Sequence, residues 1–252
     1  MHVNLKLVNP AHPITIIVAG CGGTGSHVLN ALASMNLALL ERKHKGIRVM
    51  AFDDAMVNNW NPLRQAFYPS DVGKYKALAC IEKINNFYGF DWVAYPTKMT
   101  REVRNTNFRT GVGLVPEGFL ISCVDSGIAR AEIALSWKHY PDKFYWIDTG
   151  NGFDFGQIIM ASQGVKQPEN TRKIKYTKTL PSILDLHPAL ATVERTTSCS
   201  GIESLQWQDL FINRQIATYT IDFLWKFITK GYTNHQGLYL NFSKNEIREI
   251  PC

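Results

Sequence analysis

Four glycines within six residues form the part of this chain of 252 residues that is best suited to chemistry. They follow an apolar, β-branched run at residues 14–18 and stand at Gly20, Gly22, Gly23 and Gly25. Glycine allows a tight turn and lets a phosphate approach the backbone. A helix that begins near Ser26 would point its unpaired N–H groups at that phosphate. The segment therefore predicts a nucleotide-binding turn between a strand and a helix.

Polar and charged side chains that suit a nucleotide follow this turn. Asp53 ends a predicted strand at 47–54, where a carboxylate can accept hydrogen bonds from a ribose hydroxyl; the alternative is a carboxylate that caps the next turn. The segment after it carries two cations and two amides, at Asn61, Arg64, Gln65 and Lys76. Two fixed cations with flanking amides suit a triphosphate better than a dinucleotide. Any one of these cations alone would be read as an ordinary surface residue.

The elements that must position these residues can be predicted from hydrophobic periodicity. A helix over 26–41 joins the first two strands as a βαβ unit, and a second helix is expected to begin with Asp71 as its N-cap, so that Lys76 projects from its first turns. Further elements are strands at 119–124 and 143–150, a long or broken helix at 203–230, and a terminal hairpin at 237–250. The predicted fold class is α/β, a Rossmann-like, mainly parallel sheet flanked by helices, with a C-terminal antiparallel extension.

Composition and charge narrow the class of protein. A hydrophobic content of 45% suits one domain with a sizeable core. The net charge is +6, but Lys and Arg are scattered, which favours solvated surface over a nucleic-acid site. The first ten residues lack an apolar signal core, no apolar run is long enough to span a membrane, and the five cysteines lie far apart. We expect a soluble, cytoplasmic protein with reduced thiols.

Taken in order, four segments resemble the ThiF, MoeB and HesA group of adenylating enzymes, which are related to the ubiquitin-activating enzymes. They are GCGGTG at 20–25, NPLRQ at 61–65, DVGKYKA at 71–77 and ISCVDSGIAR at 121–130. The segment from Cys199 looks like the cysteine-containing loop and long helix of that group, so the resemblance covers nearly the whole chain. Within the group, the chain is most similar to the ThiF-related protein of the ParB-related, ThiF-related (PRTRC) cassette of bacterial mobile elements.

The resemblance implies a reaction and a role for each residue. A carboxylate oxygen, typically the C-terminus of a small ubiquitin-like protein, attacks the α-phosphorus of MgATP and expels pyrophosphate. Arg64 would contact the β- and γ-phosphates, Lys76 the α-phosphate region, and Asp125 would hold Mg²⁺. Asn61 and Gln65 would orient phosphate oxygens and the water shell of the metal. The chain would be one adenylation domain, with a nucleotide-binding half at 14–130 and a substrate half at 131–252.

Other expectations concern the thiol, the metal content and the partner subunit. Cys199 would receive the acyl group as a thioester, and a free cysteine without a chemical role is an equal alternative. Relatives commonly carry zinc-binding cysteine pairs, which this chain lacks, so no structural zinc is expected. A homodimer is implied by the resemblance. Many relatives supply an N-terminal arginine across the dimer interface, whereas the first twelve residues here contain none.

Two further departures leave other functions open. Ala55 stands where the family usually has a second aspartate, and Ser126 follows Asp125 in place of the usual asparagine. A nucleotide-binding scaffold without turnover is therefore one alternative. An NAD- or FAD-dependent Rossmann oxidoreductase is another, since it would keep the glycine turn and Asp53, but it leaves Arg64 and Lys76 unexplained.

Overall fold

A computed structural model describes residues 1–100, 118–140, 144–171, 173–193 and 208–252. Within these ranges the strands are β1 (His2–Val3), β2 (Ile14–Ala19), β3 (Ile47–Phe52), β4 (Val93–Tyr95), β5 (Gly118–Ser122), β6 (Phe144–Asn151), β7 (Phe155–Ala161), β8 (Tyr232–Thr233), β9 (His235–Asn241) and β10 (Glu246–Pro251). The helices are α1 (Gly23–Glu41), α2 (Lys76–Tyr88), α3 (Gly127–Trp137), α4 (Ile183–Leu186) and α5 (Ile212–Lys230). No helix of the described ranges combines the length and the apolar character that a membrane crossing requires.

The central sheet has eight strands in the order β10-β9-β7-β6-β5-β2-β3-β4. The five strands from β4 to β6 run parallel to one another. The strands β7, β9 and β10 extend the sheet in antiparallel fashion, and β1 pairs with β8 in a separate ribbon. The predicted α/β fold class, with its C-terminal antiparallel extension, is confirmed.

Strand β2 lies in the middle of the parallel half and is buried on both faces. Its side chains alternate between the two faces of the sheet. Ile14, Ile16 and Val18 pack in a core that includes residues of α1, α2 and α5. Ile17 packs on the other face, in a core that includes Trp137 of α3. Helices therefore cover both faces, which explains why the strand is apolar at nearly every position.

The order of the strands also locates a natural binding crevice. From β2 the chain passes through α1 to β3 on one side, while β5 lies on the other side of β2. In such sheets, ligands bind outside the carboxyl ends of the strands at the point where the order reverses. The glycine turn after β2 lies at this point, next to the loops that follow β3 and β5.

The beginnings of two helices differ from the sequence prediction. Helix α1 begins at Gly23, three residues before Ser26, so the turn and the helix share two of the glycines. The prediction that Asp71 is an N-cap is wrong, because α2 begins at Lys76 and its N-cap is Tyr75. The predicted helix at 203–230 corresponds to α5, and its first five residues lie outside the described ranges.

Asp71 instead accepts hydrogen bonds inside the fold. It is buried and accepts from the Lys83 ammonium at 2.6 Å and from the Tyr68 N–H at 2.9 Å. The predicted N-cap fails because this ion pair with α2 occupies the carboxylate. Burial acts to raise the pKa of Asp71, but the hydrogen bonds from Lys83 and Tyr68 and the charges of Lys83 and Lys74 hold it below its ordinary value of 3.8.

The Asp71→Asn variant is expected to lower the free energy of unfolding by about 1–3 kcal/mol at neutral pH, because Lys83 loses its charged partner. A carboxylate with a lowered pKa stabilises the fold above the pKa of the unfolded chain, and that stability is lost as the pH falls through the folded pKa. Urea unfolding of both proteins should therefore show a difference that shrinks as the pH falls below 3.8. A difference that does not change with pH would contradict this role.

Candidate nucleotide-binding site

Three of the four glycines are required by the close packing of the turn. Gly20 has a φ of +91°, and a Cβ on it would lie 2.7 Å from the carbonyl oxygen of Cys123, just after β5. A Cβ on Gly25 would collide with the Gly20 carbonyl. A Cβ on Gly23 would lie 2.7 Å from the side chain of Asn213. These glycines let β2, α1 and the loop after β5 approach one another closely.

Gly22 has a different environment. A Cβ on this residue would meet no atom within 4 Å, so the space above it is open. Gly22 is the N-cap of α1 and provides no capping side chain. The first N–H groups of an α-helix have no partner within the helix and carry the positive end of its dipole. Open space at such a helix start fits an anionic group such as a phosphate.

The two kinds of glycine should respond differently to substitution. Gly25→Ala is expected to destabilise the protein by about 3 kcal/mol or more, because the new methyl group meets backbone rather than a side chain that can move. Gly22→Ala should cost less than about 1 kcal/mol of stability, since its Cβ enters open space. It should nevertheless weaken ATP binding by filling the place of the phosphate. Thermal unfolding with and without MgATP measures both effects, and an unchanged ATP affinity in Gly22→Ala would contradict the phosphate assignment.

Asp53 joins the end of β3 to the glycine turn. One carboxylate oxygen accepts from the Cys21 N–H at 2.6 Å, and the other accepts from the Ala55 N–H at 2.8 Å. Each oxygen can accept a further hydrogen bond. The two bonds fix the carboxylate beside the turn and leave it able to bind a further donor. A contact of Asp53 with a ribose hydroxyl stays a prediction.

The segment that carries Arg64 and Gln65 packs against the first turns of α1. His27 forms a hydrogen bond of 3.1 Å with the Arg64 carbonyl, and the Ala66 N–H donates to Ser26 at 2.9 Å. The Gln65 Oε1 atom is buried and has no hydrogen-bond partner. Buried polar atoms usually have a hydrogen-bond partner, so the unsatisfied Gln65 oxygen fits a ligand or a water that completes its hydrogen bonding.

Asn61 forms hydrogen bonds within its own turn. Its side-chain oxygen accepts from the Asn58 N–H at 3.0 Å, and its own N–H donates to Asn58. The two residues thus shape the loop that leads to Arg64. Direct contact of Asn61 with phosphate stays a prediction.

Lys76 is the first residue of α2 and lies near the glycine turn. Its N–H donates to the Ala55 carbonyl at 2.9 Å, which ties the start of the helix to the loop after β3. Burial raises the pKa of the Cys21 thiol well above its usual range, and the positive charge of Lys76 opposes this effect. Ala55 in turn donates to Asp53, whose other carboxylate oxygen accepts from the Cys21 N–H, so hydrogen bonds join the start of α2 to the glycine turn.

Asp125 lies in the loop after β5, at the same edge of the sheet. The residue is exposed, and Ser126 behind it caps α3 by accepting from the Ala129 N–H at 3.3 Å. The carbonyl of Cys123, two residues before Asp125, abuts the glycine turn at Gly20. The carboxylate thus follows directly on a segment that contacts the turn.

A buried network that the sequence did not reveal supports this loop. Arg130 donates to Asp148 at 2.9 Å and to the Val124 carbonyl at 2.9 Å, and Ser122 donates to Asp148 at 2.6 Å. Burial raises the pKa of Asp148, and the charge of Arg130 opposes that shift. Arg130 therefore links α3 to β6 and to the loop after β5. The signal in the sequence is an aspartate that directly follows the apolar run at 144–147 in the predicted strand at 143–150.

Two further polar residues reach the turn from the second half of the chain. Asn213, buried at the start of α5, accepts from Thr24 and from Asn151, both at 3.3 Å. Gln208, also buried, accepts a hydrogen bond from the Arg64 guanidinium. No local pattern marks either residue, because their partners lie more than sixty residues away in sequence.

The predicted residues thus gather at one edge of the sheet to different degrees. Asp53 and the segment of Arg64 and Gln65 contact the turn or α1 directly. The backbone of Lys76 is joined to the turn through Ala55 and Asp53, and Asp125 adjoins the turn through its loop. Cys199 lies outside the described residues. Within the described ranges, no group of three or more His, Cys, Asp or Glu side chains is arranged to hold a metal ion.

Comparison with solved structures shows the same fold in MccB and PaaA. E. coli MccB with ATP superposes with a TM-score of 0.60 at 16% identity, over 98% of this chain and 65% of that chain. E. coli MccB with MccA-N7isoASN gives 0.59 at 17% identity, over 94% and 64%. PaaA gives 0.58 at 16% identity, also over 94% and 64%. The chain therefore spans about 64–65% of the length of these structures.

Comparisons of sequence give one family. No curated protein sequence matches the chain. The model of the ThiF family matches residues 9–152, which is more than half of the chain and includes the glycine turn, Arg64, Lys76 and Asp125. The chain belongs to the ThiF family.

Proposed function

We propose that this protein adenylates the C-terminal carboxylate of a small partner protein, using ATP. The observation that carries the proposal is the open space over Gly22 at the start of α1, with Arg64 and Lys76 on the segments that adjoin it. Membership of the ThiF family and the fold shared with MccB, which has been solved with ATP, support a nucleotide at this place.

In the proposed reaction, a carboxylate oxygen forms a bond to the α-phosphorus as the bond to the bridging β-phosphate oxygen breaks. Pyrophosphate leaves, and an acyl-adenylate remains. The protein forms no covalent bond in this step, so catalysis comes from alignment and from charge stabilisation. The N–H groups at the start of α1 and Lys76 stabilise charge at the α-phosphate, and Arg64 stabilises the departing β- and γ-phosphates.

Mg²⁺ is proposed as the metal, held through Asp125. A hard cation prefers oxygen ligands and in nucleotide sites is bound by one or two carboxylates together with phosphates and water. The exposed carboxylate of Asp125 at the ligand edge of the sheet fits this use. When bound, Mg²⁺ would neutralise phosphate charge, while Gln65 and Asn61 would orient phosphate oxygens and waters.

The proposal also covers the substrate protein, the oligomeric state and the cellular system to which this chain belongs. MccB has been solved with MccA as well as with ATP, so a structural relative of this fold binds a second molecule. For this chain we propose a small ubiquitin-like protein as substrate, and a homodimer in a PRTRC system of the cytoplasm. Subsequent transfer of the acyl group to Cys199 belongs to the same proposal, as does the division of one domain into halves at 14–130 and 131–252.

Exchange of labelled pyrophosphate into ATP tests the proposal. The purified protein is incubated with MgATP and a candidate ubiquitin-like partner, and the matched control is the same partner with its C-terminus amidated. Exchange that requires the free carboxylate is expected. If MgATP protects the protein against thermal unfolding but no carboxylate partner gives exchange, the chain is a nucleotide-binding scaffold. Protection by NADH and not by MgATP would indicate an oxidoreductase instead.

A further inference from the structure

Gln208 makes an unusual contact between the two halves of the chain. Its Oε1 atom accepts a hydrogen bond of 2.5 Å from the Arg64 guanidinium, across 144 residues of sequence. Gln208 is only 8% exposed, so the amide is shielded from competing water. A short hydrogen bond from a charged donor in such a place constrains the guanidinium strongly.

The segment that presents Gln208 is itself fixed to the fold. The Asp209 N–H donates to the Phe153 carbonyl at 3.0 Å, in the turn between β6 and β7. A few residues later, Asn213 accepts from Thr24 in the first turn of α1. Residues 208–213 therefore lie over the start of α1, and their position is set by both the sheet and the helix.

Arg64 is consequently held from two sides. His27 of α1 binds its carbonyl, and Gln208 binds its guanidinium. An arginine on a flexible stem loses side-chain entropy when it binds phosphate, and a group that fixes it beforehand reduces this cost. The guanidinium has five N–H donors, and the bond to Gln208 uses one of them.

The acceptor that Gln208 offers to Arg64 is a neutral amide, and its neutrality affects how Arg64 can bind phosphate. A neutral amide can orient the guanidinium without cancelling its charge, whereas a carboxylate at the same place would form an ion pair that competes with phosphate. We propose that Gln208 is a positioning residue that holds the Arg64 guanidinium ready for the β- and γ-phosphates of ATP. This inference rests on the proposed function of the site.

Isothermal titration of ATP and AMP, both with Mg²⁺, tests the role of Gln208. The Gln208→Met variant keeps the length of the side chain and removes the acceptor. ATP binding is expected to weaken by about tenfold, the size of one hydrogen bond to a charged group. AMP binding should not change, because AMP lacks the phosphates that Arg64 is proposed to contact. Gln236→Met, at a comparably buried position in β9, is the matched control and should bind ATP normally.

Two more variants distinguish a role of Gln208 in orienting Arg64 from a role in packing alone. In an Arg64→Met background, Gln208→Met should cause no additional loss of ATP affinity, because Gln208 acts through the guanidinium. Gln208→Glu keeps the shape and the acceptor but adds a charge that pairs with the guanidinium in competition with phosphate, so its ATP affinity should fall while its AMP affinity does not change. This variant also keeps the test decisive if Gln208→Met does not fold.

Three results would overturn the inference. They are an equal loss of ATP and AMP affinity in Gln208→Met, an ATP affinity unchanged in that variant, and a full additional loss in the Arg64→Met background. The first two apply only if Arg64→Met itself weakens ATP binding. If Arg64→Met binds ATP as the wild type does, the error lies in the proposed role of Arg64 in the function.

Discussion

Replacement of Lys76 with methionine is expected to lower the rate of pyrophosphate exchange by about 10²–10³-fold, the usual cost of removing one preorganised donor from a site of developing charge. Lys76 is the first residue of α2, and its N–H donates to the Ala55 carbonyl in the loop after β3. Negative charge grows on the α-phosphate oxygens as the carboxylate attacks. Exchange rates of variant and wild type at saturating MgATP measure this effect.

Lys74 offers a matched control two residues away. Its side chain is 52% exposed, and its ammonium lies 3.8 Å from the Asp71 carboxylate. Exposed ion pairs of this kind contribute little. Lys74→Met should therefore retain exchange near the wild-type rate and a similar melting temperature. Equal activity of the Lys74 and Lys76 variants would remove Lys76 from the catalytic site.

Arg130→Met is expected to destabilise the protein by about 3–5 kcal/mol, the usual cost of breaking a buried ion pair. Arg130 and Asp148 are both almost fully buried, and Arg130 also holds the Val124 carbonyl beside Asp125. The variant leaves a buried carboxylate without its counter-charge. Urea unfolding should therefore show a lower midpoint, and exchange activity should fall because the loop of Asp125 loses its support.

The pH dependence of this loss identifies its cause. Burial raises the pKa of Asp148, and removal of Arg130 should raise it further. The folded state then retains a proton that the unfolded chain releases, so stability falls as the pH rises above the ordinary value of 3.8. The loss in Arg130→Met should be smaller in acid than at neutral pH, and an additional Asp148→Asn change should recover part of it at neutral pH. A loss independent of pH, without recovery, would point to packing alone.

Much of the fold could be predicted because its signals are local. The β-branched run of β2, the glycines, the periodicity of α1 and the apolar run of β3 lie within forty residues and define a βαβ unit by themselves. The terminal hairpin followed in the same way from two alternating runs around a Ser-Lys-Asn turn, where Asn245 adopts a φ of 53°. Local patterns thus predict the glycine turn after β2, and they predict that the segments of Arg64 and Lys76 follow β3.

The rest of the site depends on contacts between distant parts of the chain. Gln208 and Asn213 meet α1 and Arg64 only because α5 packs on α1 across the first core. Asp148 is explained by Arg130 on a neighbouring element. Asp71 shows the same limit. A local rule predicts it as a helix cap, but its carboxylate accepts a hydrogen bond from Lys83, which lies twelve residues away. Pairing of polar groups over long range carries no periodicity that one sequence can reveal.

A crystal structure of the protein with Mg²⁺ and a non-hydrolysable ATP analogue would show whether a triphosphate binds at the glycine turn. We expect the triphosphate over Gly22 at the start of α1, with the Arg64 guanidinium and the Lys76 ammonium in contact with its oxygens and Asp125 facing the metal. A nucleotide bound at another edge of the sheet, or a triphosphate over Gly22 that neither cation approaches, would contradict this expectation.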